Sequence, residues 1–268
     1  MPTKKKFNKI LADIKKVKIQ GARNIARAAL YAYSLQKTKE AKKRLINARP
    51  TEPMLVNVLN KAEKIGYEKT LAHFDSAQNS INKSIIKIIK DNSVIFTHCH
   101  STNVVRSLIY AKRKGIRFQV YNTETRPLFQ GRITSKELKK AGVKVTEFVD
   151  SAVDEILEGN QGIKKPDLVL LGADAILNSG VINKIGSGMI AEIAKVHHVP
   201  LFIVADSWKY SQHYVKLEER NYREVWNSRK VKIRNLVFEK VDKKDIKKIV
   251  SELGILNYSE FLKKVKKN

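Results

Sequence analysis

The sequence predicts an α/β protein, with a helical N-terminal domain over residues 1–75 and a Rossmann-like C-terminal domain with a mostly parallel sheet over residues 76–268. Three observations predict it. Up to about residue 75 apolar residues recur at helical spacing with few strand signals; from Val94 onward short apolar runs alternate with helical patterns; and 268 residues, 43% of them apolar, can bury a full core.

In the first part, Ile10, Leu11, Ile14 and Val17 share one helix face, and Ile25, Ala28, Ala29, Ala32 and Leu35 share another. Between them Ile19-Gln20-Gly21-Ala22 breaks the pattern and leaves backbone amides unshielded at a helix start. Such a break suits a docked phosphate or a close helix crossing equally. Pro50 and Pro53 then punctuate Asn47 to Pro53, which holds Arg49 on a stiff turn, as a ligand or as a surface arginine. A long helix from Tyr67 to Lys90 carries Leu71, Phe74, Ile81, Ile85, Ile86 and Ile89, with the domain junction within or just before it.

The second part should hold strands at Val94–Thr97, Arg117–Tyr121, Lys144–Phe148, Asp167–Leu171, Leu201–Ala205 and Lys232–Phe238, with helices beginning near Thr102, Ser135, Ser151 and Ser187. No Gly-x-Gly-x-x-Gly follows any of these strands, which argues against a dinucleotide.

The 53 basic and 26 acidic residues leave a net charge of +27. Lysines are scattered over every predicted helix and are not interleaved with aromatics, so the charge favours polyanionic small substrates over nucleic acid. No apolar run reaches membrane-spanning length and no signal-peptide core follows Met1–Lys6, so a cytoplasmic protein is expected. The single cysteine, Cys99, can form neither an intramolecular disulfide nor a cysteine-rich zinc site; it is a buried small hydrophobe or a chemical group.

A doubly wound sheet gathers whatever follows its strands at one edge. That edge would receive Thr97-His98-Cys99-His100-Ser101, then Asn122 to Pro127 with Gln130-Gly131, then Gly172-Ala173-Asp174, then Gly180 to Gly188 with Asn183 and Lys184, and finally Ala205 to Lys209. Singly, Asp174 reads as a turn aspartate and Gly186-Ser187-Gly188 as a helix cap. Together they combine acid, base and phosphate-binding types. No metal is expected, because His98, Cys99 and His100 are neighbours on an extended segment and point to opposite faces. Such a set suits aldose–ketose isomerisation of a sugar phosphate. A thiolate formed at a helix N-terminus in a basic pocket can take the proton next to a carbonyl, and a carboxylic acid kept protonated by an apolar wall can supply one.

At these residues the chain resembles the sugar-phosphate isomerases related to the regulatory subunits of the translation initiation exchange factor. The motifs, in order, are Gln20-Gly21-Ala22, Ala48 to Thr51, Thr97 to Ser101, Glu124 to Pro127 with Gln130-Gly131, Gly172 to Asp174, and Val181 to Gly186. Thr97 to Ser101, with Ile133-Thr134 and Lys136-Glu137-Leu138, are most similar to the archaeal ribose 1,5-bisphosphate isomerases. The methylthioribose 1-phosphate isomerases share the cysteine and aspartate but usually have asparagine where His100 stands.

The resemblance implies Cys99 as base and Asp174 as proton donor, with Gln20, Gly21, Ala22, Arg49, His100, Ser101, Gln130, Asn183, Lys184 and Lys209 holding phosphate and sugar. It implies a homodimer or larger homo-oligomer through the C-terminal domain, no metal or redox cofactor, and AMP as an activator. Two departures stand out: Gln20 replaces a usual arginine, and the N-terminal domain is shorter than in the archaeal enzymes. The expected function is ribose 1,5-bisphosphate isomerisation. The alternatives are a methylthioribose 1-phosphate isomerase and a non-catalytic relative of the translation regulators, from which the retained Cys99 and Asp174 divide it.

Overall fold

The computed structural model describes residues 3–213, 215–228 and 230–267. The chain opens with five helices, α1 (Thr3–Lys15), α2 (Ala22–Leu35), α3 (Lys39–Ala48), α4 (Pro53–Ile65) and α5 (Tyr67–Ile85). Their apolar faces close on one another: Phe7, Leu11 and Ile14 of α1 meet Ile25 and Ala29 of α2, Leu45 of α3, and Leu55 and Leu59 of α4. A second cluster joins Ala22, Ala26 and Leu30 to Met54, Val58 and Phe74. The small alanines let α2 lie close against α4, a packing that bulkier side chains would prevent.

Beyond α5 the chain alternates as β1 (Ser93–His98), α6 (Thr102–Arg113), β2 (Phe118–Thr123), α7 (Gln130–Lys140), β3 (Lys144–Phe148), α8 (Val153–Glu158) and β4 (Leu168–Leu171). A hairpin, β5 (Ala175–Ile176) and β6 (Gly180–Lys184), precedes α9 (Ser187–Val196) and β7 (Leu201–Val204). β8 (Phe238–Asp242), β9 (Lys248–Ser251), β10 (Gly254–Leu256) and α10 (Tyr258–Val265) complete it. The main sheet among the described residues has seven strands in the order β10-β9-β7-β4-β1-β2-β3, parallel except for β10. Successive strand residues face opposite layers. Val94 and Phe96 pack toward Ile156, Ile190 and Phe261, whereas Ile95 packs toward Ile81, Ile85 and Leu108. Strand order turns back between β1 and β4, and this crevice is where open α/β sheets take ligands.

Within the helical layer the Arg23 guanidinium of α2 donates to the Phe74 carbonyl at 2.5 Å and to Asp75 at 2.8 Å, both on α5. Other side chains tie this layer to the segment that follows β7. Asn57 donates to the carbonyls of Trp208 and Tyr210 at 2.7 and 2.8 Å, and His73 stacks on Trp208 with ring centroids 3.5 Å apart.

Several sequence expectations need correcting. The strand expected at Lys232–Phe238 forms instead at Phe238–Asp242, where the chain runs along β6 over five residues; before it Leu236 makes only an isolated bridge to Glu219. Residues 180–184, expected as a loop, are strand β6, paired on both edges by β5 and β8. The β9 and β10 strands were not expected; they complete the sheet edge. The helix expected from Ser135 already starts at Gln130, and that expected from Ser151 starts at Val153 after a 3₁₀ turn. The long helix expected to Lys90 ends at Ile85.

Candidate active site

β1 ends in a buried polar frame. Cys99 follows it with φ 67°, a left-handed conformation that a non-glycine side chain adopts at a cost of about 1–2 kcal/mol. Its neighbours hold it there: the Cys99 N–H donates to Thr125 Oγ1 at 2.9 Å, and Thr134 Oγ1 donates to the Cys99 carbonyl at 2.8 Å. Since the Thr134 hydroxyl proton is spent on that carbonyl, the 3.1 Å contact between His100 Nδ1 and Thr134 Oγ1 makes His100 Nδ1 the donor. His98 lies beneath, with Nε2 donating to the Ile185 carbonyl at 2.9 Å and Nδ1 accepting from Thr123 Oγ1 at 2.5 Å. Both its nitrogens are therefore engaged, tying the end of β1 to the end of β2 on one side and to the residue after β6 on the other. Burial accordingly holds both imidazoles below the usual histidine range.

Asp174 follows β4, the neighbour of β1, and its N–H donates to the Ile182 carbonyl of β6 at 2.8 Å. The hairpin then returns Asn183 and Lys184 to the same edge. Asn183 is fixed by a 2.8 Å bond to Ser187 Oγ at the start of α9. Lys209, after β7, donates to the Ala173 carbonyl at 2.6 Å, next to Asp174. Gly172 is required by proximity, since a Cβ there would stand 2.5 Å from Ser101 Oγ, the cap of α6.

From the helical layer, Gly21 caps α2 with φ 82°, which favours glycine, and presents Gly21-Ala22 to the crevice. Arg49 is buried, and its Nη2 donates to Glu52 at 3.2 Å and Glu218 at 2.9 Å, leaving Nε and Nη1 without partners among the described residues.

One cavity of about 410 Å³ is lined by Cys99, Asp174, Gln20, Gly21, Ala22, Arg49, His100, Ser101, Gln130, Asn183, Lys184 and Lys209. All twelve residues singled out in the sequence thus meet on one wall or another of it. The cavity also takes Lys18, Glu52 and Arg220, which the sequence did not single out. Glu52 carried a readable sign, standing three residues after Arg49 with opposite charge. Arg220 lies in a segment without periodicity, and only folding brings it in.

The electrostatics differ in one respect from expectation. Burial pushes the Cys99 thiol up to about 11, against the pull of Lys184, whereas a helix N-terminus was expected to lower it. The physical reason is position: Cys99 stands two residues before the Ser101 cap of α6 and is surrounded by protein, so desolvation outweighs the helix field. Asp174 follows the expected direction. Burial holds its carboxyl above the usual range, opposed by Lys209 and Lys184. Burial in turn lowers both lysines.

Residues 15–258 match the initiation factor 2 subunit family. The chain belongs to that family. Among its relatives, ribose 1,5-bisphosphate isomerase of Methanocaldococcus jannaschii is 35% identical over 91% of this chain and 89% of its own length. Methylthioribose-1-phosphate isomerase of Thermotoga maritima is 29% identical over 97% of this chain and 90% of its own. Among solved structures, the Pyrococcus horikoshii translation initiation factor eIF-2B superposes with a TM-score of 0.83 at 24% identity, covering 94% of this chain and 96% of that one. These likenesses agree with the helical layer and mostly parallel sheet of the initiation factor 2 subunit fold.

Proposed function

We propose that the chain is an aldose–ketose isomerase of a sugar phosphate, with ribose 1,5-bisphosphate as substrate. The observation that carries this reading is the meeting of Cys99 and Asp174 in one cavity at the crevice between β1 and β4, ringed by Arg49, Lys184, Lys209 and Arg220. Relatives named ribose 1,5-bisphosphate isomerase, 32–35% identical over 91% or more of the chain, support the choice of substrate.

In this scheme Asp174 gives a proton to the ring oxygen as its bond to C1 breaks, and Cys99 takes the proton from C2, leaving an enol whose C1 still carries its phosphate. Cys99 then returns its proton to C1 while the C2 hydroxyl gives its proton back to Asp174, so the ketone forms at C2 and no atom is gained or lost. Lys184, whose charge favours ionised Cys99, assists the first step, and the cationic rim stabilises negative charge as it develops. The scheme consists of proton transfers and the opening of one C–O bond, and calls on no metal or redox cofactor. Lys18 lines the cavity beside Gln20 and offers a cation where the usual arginine is missing. A homo-oligomer through the C-terminal domain belongs to the same reading, supported by the exposed Leu217, Trp226, Val231 and Leu236 within one segment.

The test is to incubate the purified protein with ribose 1,5-bisphosphate, with and without AMP, and follow ribulose 1,5-bisphosphate by NMR. Turnover is expected, with Cys99→Ser and Asp174→Asn each losing about 10²–10⁴-fold in kcat. A wild-type rate no greater than that of the variants would sink the reading for this substrate. Methylthioribose 1-phosphate in a parallel assay decides between the two named isomerase activities.

A further inference from the structure

Glu52 precedes Pro53 at the start of α4, a position where side chains commonly cap the helix by accepting from its first amides. The Glu52 side chain makes no such bond. It turns instead into the cavity shared with Cys99 and Asp174, where it is 3% exposed. Its Oε1 accepts from Arg49 Nη2 at 3.2 Å, while Oε2 is buried and has no partner among the described residues. A buried polar atom without a partner is costly, a penalty that a ligand oxygen in the cavity would remove.

We propose that Glu52 is a substrate-contacting residue, its free Oε2 hydrogen-bonding an oxygen of the phosphorylated sugar beside Asp174. The proposal rests on the isomerase reading. The charged groups facing Glu52 come from four segments: Arg49 before α4, Asp174 after β4, Lys209 after β7, and Glu218, which also meets Arg220 at 2.8 Å. Arg49 Nη2 is already shared between Glu52 and Glu218. Burial first, then the charge of Asp174, hold the Glu52 carboxyl up at about 8, against Arg49 and Lys209. Near neutrality it is a neutral acid able to donate to a substrate oxygen. Above that range it becomes a carboxylate facing a phosphorylated ligand.

Calorimetric binding of ribulose 1,5-bisphosphate at pH 7 and pH 9, to wild type, Glu52→Gln and Glu52→Ala, tests this without requiring turnover. Wild-type affinity should fall by up to about tenfold between the two pH values as Glu52 ionises. Glu52→Gln, which keeps the shape and a donor but cannot ionise, should lose that part of the fall. Glu52→Ala should bind about tenfold more weakly than wild type at pH 7. Thermal melts accompany each variant, and the Glu52→Gln pH comparison carries the test should Glu52→Ala lower Tm. Glu52→Gln following wild type across pH, or a stably folded Glu52→Ala binding as wild type does, overturns the proposal alone. A wild-type protein that does not bind the bisphosphate overturns the isomerase reading for this substrate, and the proposal with it.

Discussion

Cys99 is the only cysteine of the chain, so its chemistry can be followed without a background from others. The thiolate is the form that alkylates, and a thiol held at about 11 is almost wholly protonated at neutrality. The rate of iodoacetamide modification, followed by mass spectrometry, should therefore be slow at pH 7. It should rise about tenfold per pH unit until it levels near the thiol's own ionisation. A plateau already reached at pH 8 would mean that the cationic rim outweighs desolvation. The residue types at this edge were legible in the sequence. The sign of the thiol shift was not, because it depends on how many protein atoms surround the sulfur.

Between elements, the seam from α5 to α6 is a buried polar network. Gln78 Nε2 donates to Asn82 Oδ1 at 2.7 Å, Asn103 Nδ2 donates to Gln78 Oε1 at 2.9 Å, and Ser107 Oγ donates to Asn82 Oδ1 at 3.1 Å. Lys209 reaches Asn103 Oδ1 at 3.4 Å, which links this seam to the cavity. Replacing Gln78 with Leu strands its buried partners, and should cost about 1–3 kcal/mol in urea unfolding. An unchanged midpoint would show that the seam is held by its apolar neighbours instead. The helical periodicity of α5 and α6 could be read from the chain, but the pairing of their polar residues could not. Gln78 and Asn103 are 25 positions apart and meet only because α6 follows β1 back across the sheet.

Across the whole molecule, a net charge of +27 surrounds a cavity whose walls hold buried lysines and arginines. A bisphosphate approaching it is attracted over distances of the order of the Debye length, about 10 Å at 0.1 M ionic strength. The apparent KM for ribose 1,5-bisphosphate should therefore rise severalfold between low salt and 0.5 M salt, with kcat changing less, in initial-rate measurements. A KM independent of salt would mean that the surface charge serves some other purpose.

The sequence by itself determined the helical N-terminal region, the alternation of strands and helices in a mostly parallel sheet from Val94 onward, and the residue types at the strands' carboxyl ends. These are local or periodic properties: an apolar run of strand length, a helical stripe and a glycine at a turn each announce themselves within a few positions. Only the tertiary structure decided which of those residues share a cavity, and it added Lys18, Glu52 and Arg220 to them. It also decided that Val181 to Lys184 form a strand, since a strand needs partners, and β5 and β8 come from elsewhere in the chain. Burial is likewise set by the atoms that fold around a group. For that reason Cys99 and Glu52 acquire ionisation properties that neither side chain displays in the sequence.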